Sequence, residues 1–243
     1  IFQLDGKNHS YFSSILIRAK KKVCVKFIKS KKILSKIIFI KRPNFFINFF
    51  FDESEISYEN YDIIDNINYH YLTLYLNLLK KLNIKIFSKN HYLPFYEAKK
   101  ISNFKNGYSL IHVDQRWEQF PQSVSINLKE KLLKLSVSTN LVVSSNIGGN
   151  KVFEFLNKEL FNKPNIEFIK DPSLDDTISL IYYSNSCISS HSGLIVHTAA
   201  SFNKKIIDIV SIDIFNELDR WIPYNVDYKR LDIHNFIEIN FDV

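Results

Sequence analysis

Ser189-Ser190-His191-Ser192-Gly193 is the stretch of this sequence best suited to holding an anion. Its small residues let backbone N–H groups come close to a ligand, and Gly193 offers no side chain to obstruct that approach. The apolar run that follows starts a helix, whose first N–H groups lack intrahelical partners and carry the positive end of its dipole. A phosphate is the ligand that such a turn favours. His191 and His197 bracket the helix start; each can contact a ligand, and His191 can equally act as a base or be a structural residue. Arg116, in Asp114-Gln115-Arg116-Trp117, adds a planar cation whose shape matches phosphate oxygens. Plainer roles stand beside these: a crossover loop for 190–193, an ion pair with Glu118 for Arg116, a cap or core position for His197. Trp117 can stack on a ligand or fill core, as tryptophan more often does. Asp5, Lys7 and His9 follow the first apolar stretch and can face a second substrate, or merely an exposed loop.

A turn of this kind does its work at the carboxyl edge of a parallel sheet, and the surrounding sequence has the required rhythm. Apolar runs at 108–113, 141–144, 166–169, 187–188 and 206–210 read as buried strands. Between them, 126–135, 152–160, 173–183 and 194–202 read as helices, with Ser173 capping the third, Asp175 and Asp176 in its first turn, and Asn203 stopping the last. Repeated βα units predict a parallel sheet covered on both faces, a Rossmann-like domain with ligand loops at 114–117, 144–150 and 190–193. The first half is less regular. Strands are expected at 1–4 and 23–28, helices at 10–19 and 69–82, an acidic loop at 52–65 and a short strand at 84–87. The segment around 95–107 reads as a linker, which sets the expected domains at 1–105 and 106–243.

Bulk composition narrows the class. At 243 residues and 46% hydrophobic the chain can bury a substantial core, and Gly 5 with Pro 6 excludes collagen-like and disordered chains. Met 0 and an opening on Ile1-Phe2-Gln3-Leu4 lead us to expect a fragment lacking its natural start. Cys24 and Cys187, far apart in apolar surroundings, are expected to be buried thiols of a reducing compartment; neither has metal-ligand spacing. No apolar run approaches the length needed to span a bilayer. The net charge of +7 is unevenly placed: residues 6–51 hold twelve Lys or Arg and no Asp or Glu, leaving the remainder at about −5. Lysines interleaved with apolar and aromatic groups, followed by the cluster Phe45, Phe46, Phe49, Phe50 and Phe51, suit an anionic membrane surface, or else the lysines simply solvate a helix face. With no nucleic-acid motif in the chain, no nucleic-acid partner is expected.

The order of these pieces resembles the family 9 glycosyltransferases, the ADP-heptose:lipopolysaccharide heptosyltransferases and their relatives. Arg116 and Trp117 in Leu110-Ile111-His112-Val113-Asp114-Gln115-Arg116-Trp117 match the family's polar loop, which carries a Lys or Arg near a Trp. Ser192, Gly193, Ala199 and Ala200 match its Asp-Ser/Thr-Gly-x-x-His-x-Ala-Ala motif, and His197 does so with one residue inserted; His191 stands where the family has Asp. More loosely, the opening through Ser10 resembles the family's Asp-x-x-Gly strand end, and 76–84 its helix before the linker. The resemblance implies an α/β fold of two Rossmann-like domains (GT-B type), the N-terminal one incomplete because the first βα unit, with the family's proposed catalytic Asp, would precede Ile1. It implies transfer of a sugar, heptose or similar, from a nucleotide-diphosphate donor to lipopolysaccharide or another cell-envelope glycan. Donor-binding residues would be Arg116, Ser190, His191, Ser192, Gly193 and His197, with Asp5, Lys7 and His9 on the acceptor side. Asp208 and the segment 221–224 would shape the cleft wall. No metal and no cofactor are expected, the nucleotide sugar being substrate, and the place of work would be the cytoplasmic face of the membrane. Two alternatives stay open: another GT-B enzyme (fucosyltransferase-like, or a nucleotide-sugar 2-epimerase, against which the basic 6–51 segment argues) and a non-catalytic sugar-nucleotide or membrane-surface binding protein.

Overall fold

Long β-branched runs with few polar interruptions need cover on both sides, and the strands of the C-terminal half receive it. We describe the protein from a computed structural model covering residues 2–3, 16–33, 36–41, 51–59, 71–85, 97–105, 107–146, 148–212 and 221–238. The chain forms two units, Ile1–Lys89 with Asn216–Ile222, and Asn90–Phe215 with Pro223–Val243.

The first unit holds a mixed sheet built on β2 (Val23–Ile33). Strand β1 (Phe2–Gln3) pairs parallel with the start of β2, and β3 (Lys36–Lys41) pairs antiparallel with its far half. Along its other edge β2 pairs parallel with β4 (Glu53–Glu59). Helix α1 (Tyr71–Lys81) packs Leu78 against Val23 and Val25, with Tyr75 and Leu82 beside them. Two expectations need correction. The strand expected at 23–28 runs on to Ile33, where it pairs antiparallel with β3, and the acidic loop is in part β4. Glu53-Ser54-Glu55-Ile56-Ser57-Tyr58-Glu59 has poor strand propensity, and its conformation is supplied by the backbone of β2, whose register sets Lys29 opposite Glu59. The expected strand at 84–87 is not formed at Ile84 and Lys85, and its remainder, like most of the expected helix at 10–19, lies outside the described residues.

The second unit is a regular βα alternation. In chain order it runs β5 (Ser109–Val113), a 3-10 turn (Gln115–Gln119), α2 (Gln122–Leu135), β6 (Leu141–Ser145), α3 (Lys151–Leu160), β7 (Ile166–Ile169) and α4 (Leu174–Tyr183). Then follow β8 (Ser186–Ser189), α5 (Gly193–Ser201), β9 (Lys205–Val210), β10 (Tyr228–Asp232) and α6 (Ile233–Glu238). The helices start and stop where capping chemistry dictates. Ser173 accepts a hydrogen bond from the Asp176 N–H at 3.1 Å, and Asn203, in left-handed conformation, follows α5.

All five strand pairings of this sheet are parallel, in the order β10-β9-β8-β5-β6-β7. The chain moves outward from β5 to β7, then returns to the other side of β5 and moves outward again. This is the doubly wound order, and its switch point lies between β5 and β8. Alternate residues feed two cores. Ile111, Val143, Ile188 and Ile207 pack with Leu128, Leu132, Phe153 and Phe236 from α2, α3 and α6. Leu110, Val142, Cys187 and Ile206 pack with Leu180, Ile181, Ile195 and Ala199 from α4 and α5. Truncating a fully buried member such as Leu132 to Ala costs about 2–5 kcal/mol.

Candidate functional site

At the carboxyl ends of the strands the second core gives way to a polar row. His112 pairs in register with Ser144 on one side and Ser189 on the other, Ser189 pairs with Asp208, and Asp208 with Arg230. His112, Ser144, Ser189 and Asp208 are all buried. They share the parity of Leu110, Val142, Cys187 and Ile206, so they lie on the face covered by α4 and α5. His112 Nδ1 lies 3.0 Å from Ser144 Oγ. Burial pushes the His112 pKa down to about 4, the Asp114 carboxylate opposing and the Arg116 guanidinium adding to the fall.

The loop after β5 is a compact scaffold for one cation. Asp114, buried, caps the 3-10 turn by accepting the Arg116 N–H at 2.9 Å, and its other oxygen takes the Arg116 guanidinium. Arg116 is thereby held at the end of β5 with 51% of its side chain exposed. Its ion partner is Asp114, not Glu118, which instead accepts the Lys151 N–H at the start of α3. Trp117 is core: only 1% exposed, it donates its indole N–H to the His112 carbonyl at 2.9 Å. The loop after β6 is tied to the same place. Asn150 caps α3 by accepting the Phe153 N–H and donates to the Val113 carbonyl at 2.6 Å. Gly148 and Gly149 both adopt positive φ and bend this loop.

Across the switch point, the loop after β8 carries the other candidates. Ser190 and Ser192 are buried, and Ser192 occupies the N-cap of α5 without a side-chain capping bond. The hydroxyls of Ser189 and Ser190 are buried and have no hydrogen-bond partner among the described residues. Two adjacent unsatisfied hydroxyls at a strand end are costly unless something fills them. Gly193 begins α5, and a Cβ placed there would meet nothing within 4 Å. The left-handed residue of the turn is His191, at φ 50, with Gly193 outside that region. The Asp208 carboxylate holds this conformation by accepting the His191 N–H at 2.8 Å, and it lies 2.8 Å from His191 Nδ1. Tyr228 completes the group by donating its OH to Asp208 at 2.7 Å. Burial, then the Asp208 carboxylate, raise the Tyr228 phenol well above its ordinary value, so it remains a donor.

Arg116, Ser190, His191, Ser192 and Gly193 thus stand on the loops of two adjacent strands, at the sheet edge where doubly wound folds bind ligands. His197 lies one turn into α5, half-buried. Asp5, Lys7 and His9 lie outside the described residues. Asp208 was expected to shape a cleft wall; it is fully buried and holds His191 instead. The available signal for it was a carboxylate inside the apolar run Ile206-Ile207-Asp208-Ile209-Val210, which demands a partner. Among the described residues no helix is long and apolar enough to cross a membrane.

No protein-family model and no curated protein sequence matches the chain. Solved structures do. A glycosyl transferase of family 9 from Veillonella parvula superposes with a TM-score of 0.59 at 11% identity, over 95% of this chain and 62% of that one. The Escherichia coli ADP-heptose lipopolysaccharide heptosyltransferase II gives 0.57 at 9% identity, over 98% and 72%. The E. coli heptosyltransferase WaaC with ADP gives 0.59 at 9% identity, over 95% and 66%. The chain therefore spans about two thirds of the length of these proteins. At such identities the likeness is one of architecture: the chain has the α/β fold of GT-B glycosyltransferases.

Proposed function

We propose that the chain is a glycosyltransferase of the GT-B type, using a nucleotide-diphosphate sugar as donor. The observation that carries this reading is the switch point. There the N-terminus of α5, left without a side-chain cap, and the unsatisfied Ser189 and Ser190 hydroxyls share an edge with the Arg116 guanidinium. N–H groups and hydroxyls bind phosphate oxygens, and Arg116 meets the charge that grows on the diphosphate as the sugar leaves. Such a site stabilises the leaving group with protein groups alone, so metal-independent transfer is part of the proposal. The heptosyltransferase with ADP shows that a nucleoside diphosphate is bound by a protein of this fold. By resemblance, the sugar is a heptose or similar and the acceptor is lipopolysaccharide or another envelope glycan. The basic 6–51 segment would seat the protein on the anionic inner face of the cytoplasmic membrane.

Calorimetry with ADP, GDP and UDP tests the donor site. One of them is expected to bind, and Arg116→Ala to weaken it by about 1.5–3 kcal/mol, the range for a hydrogen bond to a charged group. If none binds the wild-type chain, the donor-site reading fails. Binding without sugar release from the matching nucleotide sugar would favour a non-catalytic sugar-nucleotide binding protein.

A further inference from the structure

His191 is oriented more firmly than a mere loop residue requires. Its backbone N–H and its Nδ1 both meet the carboxylate of Asp208, each at 2.8 Å, and Asp208 is fully buried. Tyr228 donates to the same carboxylate oxygen as Nδ1 does, at 2.7 Å, and Arg230 Nε backs the Tyr228 oxygen at 3.4 Å. A carboxylate only accepts, so Nδ1 must bring the hydrogen. The other ring nitrogen, Nε2, sits on the side of the imidazole away from Asp208, and the side chain is 25% exposed. His191 belongs to the turn that precedes α5, next in sequence to Ser190 with its unsatisfied hydroxyl.

Resting on the donor-site reading above, we propose that His191 is a phosphate-contacting residue and that Asp208 and Tyr228 are the residues that position it. With Nδ1–H committed to Asp208, Nε2 can donate to a phosphate oxygen only when it also carries a proton. A ring that donates to both Asp208 and a phosphate oxygen is an imidazolium held between two anions.

The test is calorimetry of ADP, GDP and UDP on the wild type and on variants at His191 and Asp208. His191→Asn keeps a residue that tolerates the left-handed backbone. It should bind whichever nucleotide the wild type binds roughly tenfold to a hundredfold more weakly. Asp208→Asn is the sharper variant. Its amide can donate to Nδ1, which places the hydrogen on Nε2 of a neutral ring, so binding should survive, whereas Asp208→Ala, which removes the support, should bind as weakly as His191→Asn. A purely structural dyad would not separate these two variants of Asp208. Wild-type affinity in His191→Asn, or in Asp208→Ala, overturns the proposal while the donor site stands. Failure of all three nucleotides to bind overturns both. Should Asp208→Asn not fold, the wild type and His191→Asn still decide.

Discussion

His112 on β5 stands opposite Ser189 on β8 in strand register, and the two ligand loops of the second unit leave their strands immediately beyond this pair. The loops belong to residues far apart in sequence, Asp114 and Ser190. They become neighbours because the chain crosses back over β5 after β7. Arg116 and the start of α5 are brought to one edge by topology, with no direct contact between the two loops required.

Gly193 gives a clean probe of that edge. A Cβ there meets nothing in the protein within 4 Å, and the residue does not adopt the left-handed backbone, so a side chain introduces no strain. Gly193→Val should fold with nearly unchanged stability and lose nucleoside diphosphate binding, because its branched side chain occupies the space before the first N–H groups of α5. Denaturation curves and calorimetry on the same preparation check both halves. Normal binding by the variant would assign the turn to an ordinary crossover.

Much of this second unit could be read in advance, for a physical reason. Strands covered on both faces are continuous apolar runs, and the helices between them carry caps such as Ser173, so local pattern and tertiary structure agree. The failures are where tertiary structure overrides local preference. Strand β4 is a polar segment held by pairing with β2, while β10 and α6, Tyr228-Lys229-Arg230-Leu231-Asp232 and Ile233–Glu238, have no strong period to mark them. Within the site, Arg116 and the 190–193 turn could be picked out by residue type. Their supports could not: Asp208 lies seventeen residues from His191, and Asn150 reaches Val113 across thirty-seven. No local pattern fixes which strand end a distant side chain will reach.

Asn150 should behave as a residue with two separable tasks. Its Oδ1 accepts the Phe153 N–H at 2.8 Å and its amide donates to the Val113 carbonyl at 2.6 Å, both buried. Asn150→Ala removes both the cap and the buried hydrogen bond to the Val113 carbonyl, so a loss of about 2–4 kcal/mol is expected. Asn150→Asp keeps the cap but places a carboxylate against the Val113 carbonyl, and should fail to rescue stability. Urea denaturation of the three proteins decides, and a fully stable Asn150→Asp would show that the bond to Val113 contributes nothing.

The basic segment makes a different prediction. Residues 6–51 hold twelve Lys or Arg without an acid, and in five of the six register pairs of the β2–β3 hairpin a lysine faces an isoleucine. Near an anionic bilayer each lysine contributes roughly 1 kcal/mol, weakened by salt. The protein should co-sediment with vesicles containing phosphatidylserine, release at high salt, and ignore neutral vesicles. Sedimentation independent of both lipid charge and salt would remove the membrane assignment.

His112 should leave its mark on acid stability. Buried beside Ser144, with its pKa pushed down to about 4, it is neutral in the folded protein at a pH where an unfolded chain, near 6.5, takes a proton. Between those two values the unfolded state binds more protons than the folded one, so stability rises with pH. The contribution of neutral His112 is therefore complete above the unfolded value and is lost as pH falls from there toward about 4, at roughly 1.4 kcal/mol for each unit of separation. Replacing it with asparagine removes the titration whatever it costs in packing, so the variant's stability should fall less steeply over that window than the wild type's. Urea midpoints at about pH 7, 6, 5 and 4 give the two slopes. Parallel slopes would mean that His112 gains its proton without leaving the fold, and that the polar row at the end of β5 is open to water.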